Sequence, residues 1–231
     1  KCQQMTALFQ GKTFNEIADL LDIEFNRNVK NFAEQVVTHM FGSKAKKLND
    51  IEDFAKIGVI AKSVPLRATG SGKEDMKLFL PDLVSWTEEE TFEESAIYDY
   101  FAGHHFLFII YQHTAKGVVF KGFKRIFFSE EFIQHSVRKI WEQVRSLIVN
   151  RTLQLVREYD ANGNPIMNVT GSYREAPNFP KASENDVFVR GGASTSEEKH
   201  KTLVINGLRM MPQSIWLNRH TVLKLINENN A

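Results

Sequence analysis

Asp53, Ile60 and Lys62, within EDFAKIGVIAKSV (52–64), have the outline of a metal-assisted hydrolytic site with one part exchanged. Magnesium is a hard cation held by oxygen ligands, and one monodentate carboxylate holds it weakly. Hydrolysis of a phosphodiester at such a site therefore calls for at least two carboxylates. A lysine two positions after the second carboxylate shares its face of the strand, where it can orient and acidify the attacking water. Lys62 fits that lysine and Asp53 the first carboxylate. Ile60 stands where the second is needed and cannot bind a metal. Glu34, on a preceding helix, offers another oxygen. GVIAK also makes an ordinary buried strand, and both readings stand on these residues alone.

Other residue types suit nucleic acid. In FPKAS (179–183), Lys181 can donate to guanine O6 and N7, and Pro180 can wedge without needing a backbone donor. In PQSIWLN (212–218), Trp216 can pack on base edges or sugars, with Asn218 and Arg219 following it. Lys44, Lys46 and Lys47 cluster in one loop, and Lys116, Lys121, Lys124 and Arg125 crowd one hairpin. A plainer role exists for each: a solvated lysine, a proline that stops a loop, a core tryptophan. His104 and His105 are adjacent and point to opposite faces of a strand, so they do not share a metal. GSG at 70–72 lacks the strand-to-helix context of a phosphate cradle and reads as a hairpin tip.

The elements that must position these residues can be read from periodicity. TFNEIADLLDIEF (13–25) starts on Thr with an acidic first turn and predicts a helix. A second helix is expected over 27–41, with Val29, Phe32, Ala33, Val36, Val37 and Met40 along one side and Gly42 as its stop. Strands are expected at 57–64, at 77–84 broken by Pro81, and at 106–112, whose unbroken apolar run suits a strand covered on both faces. Residues 117–128 read as an antiparallel partner, with the turn near Gly117. Ser129 opens a long helix from 130 to about 149, with Phe132, Val137, Ile140, Trp141, Val144, Leu147 and Ile148 inward. A turn at 160–165, a strand at 187–192, a mobile loop at 194–201, a strand at 214–217 and a final helix after Asn218 complete the pass. Helices and strands mix without a βαβ rhythm, which argues for an α+β fold or a mixed sheet flanked by helices.

The chain has 231 residues, 42% of them hydrophobic, enough for one full core or two small ones. The 18 phenylalanines, several in runs such as HHFLFIIY, point to buried strands and exclude a disordered class. The net charge of +1 neither demands nor forbids a polyanionic partner. No apolar run reaches the roughly 20 residues that span a bilayer, and KCQQMTALFQGK lacks a signal-peptide core, so no membrane partner and a cytoplasmic location are expected. Cys2 stands alone, which excludes an intrachain disulfide, and the sequons at Asn150 and Asn168 read as chance matches. The Lys start and polar opening read as an N-terminal linker and helix over 1–25, in a domain cut from something longer.

Three ordered elements then carry a resemblance: Glu34, DFAKIGVIAKSVP (53–65), and TFEES (91–95) before HHFLFIIY. Together they resemble the MutH and Sau-type GATC endonuclease family, whose pattern is a helical glutamate, DF…GVELK, and TFETS before an apolar strand. The resemblance covers about residues 26 to 227. FPKAS matches the family's groove-entering proline and lysine, and Trp216 takes the place of a base-contacting aromatic. Phe179 and Ser214 depart from it, standing where the mismatch-repair relative has arginine and glycine.

The resemblance implies a restriction-endonuclease-like mixed central sheet flanked by helices, with two lobes around a DNA cleft, over a single domain of 1–231. It further implies a degenerate second half of a tandem type II restriction enzyme. Such a half binds GATC-type duplex DNA, without a cofactor, as an effector or allosteric site for a catalytic MutH-like domain of the same polypeptide. That catalytic domain would use magnesium to cut. Two rivals stand beside it: a domain still cutting through Glu34, Asp53 and Lys62, and a structural or dimerisation module.

Overall fold

The computed structural model describes every residue except 25, 28, 30, 44, 46, 170, 193–196 and 229–231, and excepting also the side chains of 53 and 55. The helices are α1 (Cys2–Phe9), α2 (Phe14–Leu20), α3 (Phe32–Met40), α4 (Glu52–Lys56), α5 (Ala96–Ala102), α6 (Glu130–Phe132), α7 (Arg138–Val149) and α8 (Arg219–Asn227). The strands are β1 (Val59–Leu66), β2 (Met76–Phe79), β3 (His105–Thr114), β4 (Gly117–Ile126), β5 (Leu155–Arg157), β6 (Glu175–Pro177), β7 (Val187–Gly191), β8 (Leu203–Ile205), β9 (Leu208–Met210) and β10 (Gln213–Leu217). The class is α+β with small sheets, compatible with a restriction-endonuclease-like fold. The strands do not join one central sheet among the described residues. They divide between two compact units, one of residues 1–76, 103–128 and 219–231, the other of 77–102 and 129–218.

In the first unit a mixed sheet runs β1-β3-β4. The apolar run of β3 makes it the central strand, parallel to β1 and antiparallel to β4, with a register shift at Ile110/Tyr111. Ala61, Leu107 and Ile109 face one way and pack with Phe14, Ile17, Val36, Val37, Met40 and Phe54 in a single buried cluster. Each of the larger of these side chains contributes about 1.5–3 kcal/mol on burial. Phe106 and Phe108, on the other face by alternation, are also fully buried, as an unbroken apolar strand requires.

Local chemistry explains most of the helix ends. The Thr13 hydroxyl accepts from the Glu16 N–H at 3.2 Å and the Glu16 carboxylate accepts from the Thr13 N–H at 2.6 Å, so α2 starts on a reciprocal cap. Helix α3 begins at Phe32, five residues later than periodicity predicted, and ends at Met40, with Gly42 just beyond it at a φ of 75° that turns the Ser43 N–H back onto the Thr38 carbonyl at 3.1 Å. The segment read as a linker folds as α1. Phe9 is buried there, and the Thr6 hydroxyl accepts from the Phe123 N–H of β4 at 3.2 Å. Gly122 permits this approach, because a Cβ there would lie 2.9 Å from the Thr6 methyl.

The second unit holds a sheet ordered β2-β10-β7, with Trp216 opposite Phe188 and Ser214 opposite Arg190. Strand β2 stops at Phe79, ahead of the proline that cannot donate to a ladder. The long helix opens on Ser129, whose hydroxyl accepts from the Phe132 N–H at 3.1 Å. Between α6 and α7 lies a π-helical turn, Ile133–Val137. Ile133 is buried with Val137, Ile140, Trp141, Val144 and Ile148 at three- and four-residue spacing, while Phe132, expected inward, is only half-buried. Asp160 closes the expected turn by accepting from the N–H groups of Asn162 and Asn164. Of the loop read over 194–201, residues 194–196 lie outside the described residues, and Glu198–His200 form a 3-10 turn. No helix of the described residues is long and apolar enough to cross a membrane.

Candidate functional site

The remnant stretch is built on the edge of the first unit's sheet. Among the described residues β1 pairs along its length with β3 and bridges Gly72 at its far end through Leu66, so the outer side of its first half needs other partners. Asn49, in the 3-10 turn Leu48–Asp50, supplies them. Its Oδ1 accepts from the Ala61 N–H at 2.7 Å, and its Nδ2 approaches the Ala61 carbonyl at 3.4 Å. Glu34 holds the same turn, its Oε1 accepting from the Leu48 N–H at 3.0 Å. The helical glutamate is thus linked, through Leu48 and Asn49, to the strand position between Ile60 and Lys62.

Ile60 and Lys62 are both half-buried, and alternation sends them to the face opposite Ala61 and Ser63. Tyr111 lies on the Ala61 side with its hydroxyl bonded to Ser63. Its acidity is pushed down mainly by burial, and further by the charges of Glu74 and Glu34. Asp53 is placed by its backbone in α4, and its side chain lies outside the described residues.

The described side chains here fit a magnesium site poorly. Ile60 brings only carbon to the place of the second carboxylate, and one oxygen of Glu34 is committed to a backbone N–H. Among the described residues no group of three or more His, Cys, Asp or Glu side chains could hold a metal ion. What the described contacts show at this edge is positional: Glu34 and Asn49 fix the loop and the strand.

TFEES is likewise used in folding. Phe92 is buried, Glu93 pairs with Arg138, and the Ser95 hydroxyl accepts from the Tyr98 N–H at 3.2 Å to start α5. Helix α7 secures the neighbouring segment, Trp141 donating to the Glu89 carboxylate at 2.6 Å and Arg145 to the Trp86 carbonyl at 2.9 Å.

The second unit gathers four of the residues singled out for DNA. Phe179, at 4% exposure, is the buried anchor of the loop that carries Pro180 and Lys181. The Lys181 side chain is exposed, and its carbonyl accepts from Asn185 Nδ2 at 2.9 Å. Asn218 fastens that loop to the end of β10, with Nδ2 donating to the Ala182 carbonyl at 2.7 Å and its N–H to the Asp186 carbonyl, also at 2.7 Å. Two positions earlier on β10, the partly exposed Trp216 donates from Nε1 to the Arg190 carbonyl at 3.1 Å. The Arg190 guanidinium lies 4.0 Å from the centre of the Trp216 ring. Ser214, opposite Arg190, is buried and its hydroxyl has no hydrogen-bond partner among the described residues.

The remaining cations divide. Arg219 is the exposed first residue of α8 in the first unit, its N–H donating to Asp75 at 3.1 Å. Lys44 and Lys46 lie outside the described residues. In the β3–β4 hairpin, Lys124 donates to the carbonyls of Ile226 and Glu228 at the end of α8, and Arg125 lies against the Phe127 ring with His105 Nδ1 at 3.4 Å. Asn49 and Arg190 were not singled out from the sequence. Their roles depend on which strand edge and which strand pair they meet.

Comparison with known proteins gives a distant likeness. The chain is 24% identical over 211 residues to the type II restriction enzyme Sau3AI of Staphylococcus aureus. The match takes in 80% of this chain and 42% of that enzyme, so the chain spans less than half the length of its relative. No protein-family model matches.

Proposed function

We propose that this chain is a DNA-binding domain of a type II restriction enzyme that reads GATC-type duplex DNA and leaves it uncut. The carrying observation is the loop of Pro180 and Lys181, bound through Asn218 to the strand that bears Trp216. Proline, lysine and an aromatic in one unit are a set that can enter a groove, donate to base edges and pack on sugars. The poor fit of Ile60 and Glu34 to magnesium supports binding over cutting. The likeness to a restriction enzyme more than twice the length of the matched stretch supports a tandem parent with a separate magnesium-dependent half.

On this reading the fold is the two-lobed MutH-like form and the domain serves the catalytic half as an effector site. DNA bound here raises cleavage elsewhere by bridging two sites or by favouring an active conformation, and the second route requires different DNA affinity in the two states. Lys181→Glu tests the interface. The expected result is a loss of at least tenfold in GATC affinity, with relaxed sequence choice or a smaller salt dependence. Unchanged affinity and selectivity would remove Lys181 from the interface and favour a structural or dimerisation module.

A further inference from the structure

We propose that Arg190 is a base-reading residue, held by Trp216 so that its guanidinium addresses a guanine edge in bound duplex DNA. This rests on the DNA-binding reading above and adds to it a residue that neither the sequence pattern nor the resemblance marks.

The geometry is specific. Arg190 and Ser214 are directly opposed on β7 and β10, and Phe188 and Trp216 are the next such pair, so all four side chains share one face of the sheet. Arg190 is exposed, stands 4.0 Å from the Trp216 ring centre and 5.2 Å from that of Phe188. Trp216 in turn donates to the carbonyl of Arg190 itself, so ring and arginine are held to one another at two points. A planar cation resting on an aromatic face loses little freedom on forming a forked pair of hydrogen bonds, and arginine to guanine O6 and N7 is the commonest specific base contact. Lysine can donate to the same acceptors but has neither the plane to stack on the ring nor a fork fixed in advance.

Of these four side chains Phe188 and Ser214 are buried, and the partly exposed Trp216 and exposed Arg190 are the ones that reach the surface. An aromatic that packs on DNA therefore brings the guanidinium to within a ring's width of it. Both residues lie in the unit that carries Lys181.

The test is a cycle between protein and DNA, read by fluorescence anisotropy with the full chain. Wild type, Arg190→Ala and Arg190→Lys are titrated with a GATC duplex and with the same duplex carrying 7-deazaguanine, which lacks the N7 acceptor. The proposal expects a loss of roughly tenfold for Arg190→Ala, a similar loss for Arg190→Lys, and a loss for wild type on the deaza duplex. The two changes combined should cost little more than Arg190→Ala alone. Losses that simply multiply, a lysine variant that binds like wild type, or no effect of Arg190→Ala would each overturn it. The last result, with wild-type DNA binding intact, sinks this inference and spares the binding reading. Failure of wild type to bind any duplex sinks both. Trp216→Phe, which keeps a ring and loses the indole donor, should give an intermediate loss; full retention would show that the indole bond does not hold the arginine.

Discussion

Ile60 decides between two chemistries on the strength of one side chain. A carboxylate at that position would set an oxygen ligand on the strand face of Lys62; a branched hydrocarbon sets none. Ile60→Glu is therefore expected to produce magnesium-dependent nicking of a GATC duplex, absent in wild type and abolished by adding Asp53→Ala. Intact DNA with Ile60→Glu would mean that the geometry was lost along with the carboxylate. Ser214 makes a second prediction at this scale. Its buried hydroxyl lacks a partner among the described residues, a condition that costs about 1–3 kcal/mol. Ser214→Ala should raise the denaturation midpoint, and a lowered midpoint would show that the hydroxyl is satisfied. The sequence shows the serine, whereas its lack of a partner is not written there. That depends on what β7 places opposite.

Asn49 shows why elements were harder to read than residues. Sequence placed a strand at 57–64 and the structure has it at Val59–Leu66, but nothing in the sequence says that an amide from a 3-10 turn finishes its edge. Asn49→Ala leaves the N–H of the nearly inaccessible Ala61 without its partner, and about 1–2 kcal/mol of stability should be lost in urea unfolding. A loss within error would show that the edge is held by other means. Where the signal is local, the reading held: the Thr13 cap, the Gly42 stop and the Ser129 start all appear. Where it depends on packing, it failed. Helix α1 has too few residues to form alone, and it exists against β4, with Phe9 buried and Cys2 and Met5 packed on the core.

The α2 cap also carries a pH dependence. Hydrogen bonds from Thr13 hold the exposed Glu16 carboxyl below its ordinary value of 4.5. A depressed carboxyl stabilises fully above that value and loses the effect as pH falls through and below it. Thr13→Ala should lower Tm near neutral pH and do so less in acid; an equal shift at both would show that the carboxylate takes no part.

At the scale of the molecule, the α+β class was legible because apolar runs and helical stripes are written locally. The division into two units was not, since it turns on which strands pair at long range. The same limit governs the candidate site. Glu34, Lys62, Lys181 and Trp216 could be singled out by type and spacing, but Glu34 proved committed to a backbone N–H and Asn218 to a loop carbonyl. What each unit offers is nonetheless coherent. One carries a strand edge with Ile60 beside Lys62 and Glu34 tied to the loop that finishes it, and the other carries a proline, a lysine and an arginine stacked on tryptophan.

The most direct test of a reader that does not cut is a single titration. Fluorescence anisotropy of the wild-type chain would be followed with a GATC duplex and a scrambled duplex at two salt concentrations, with magnesium then added and the DNA run on a gel. The account predicts tighter binding to GATC, a preference that survives the higher salt while overall affinity falls, and full-length DNA on the gel. Cleaved DNA, or equal affinity for the two duplexes, would contradict it.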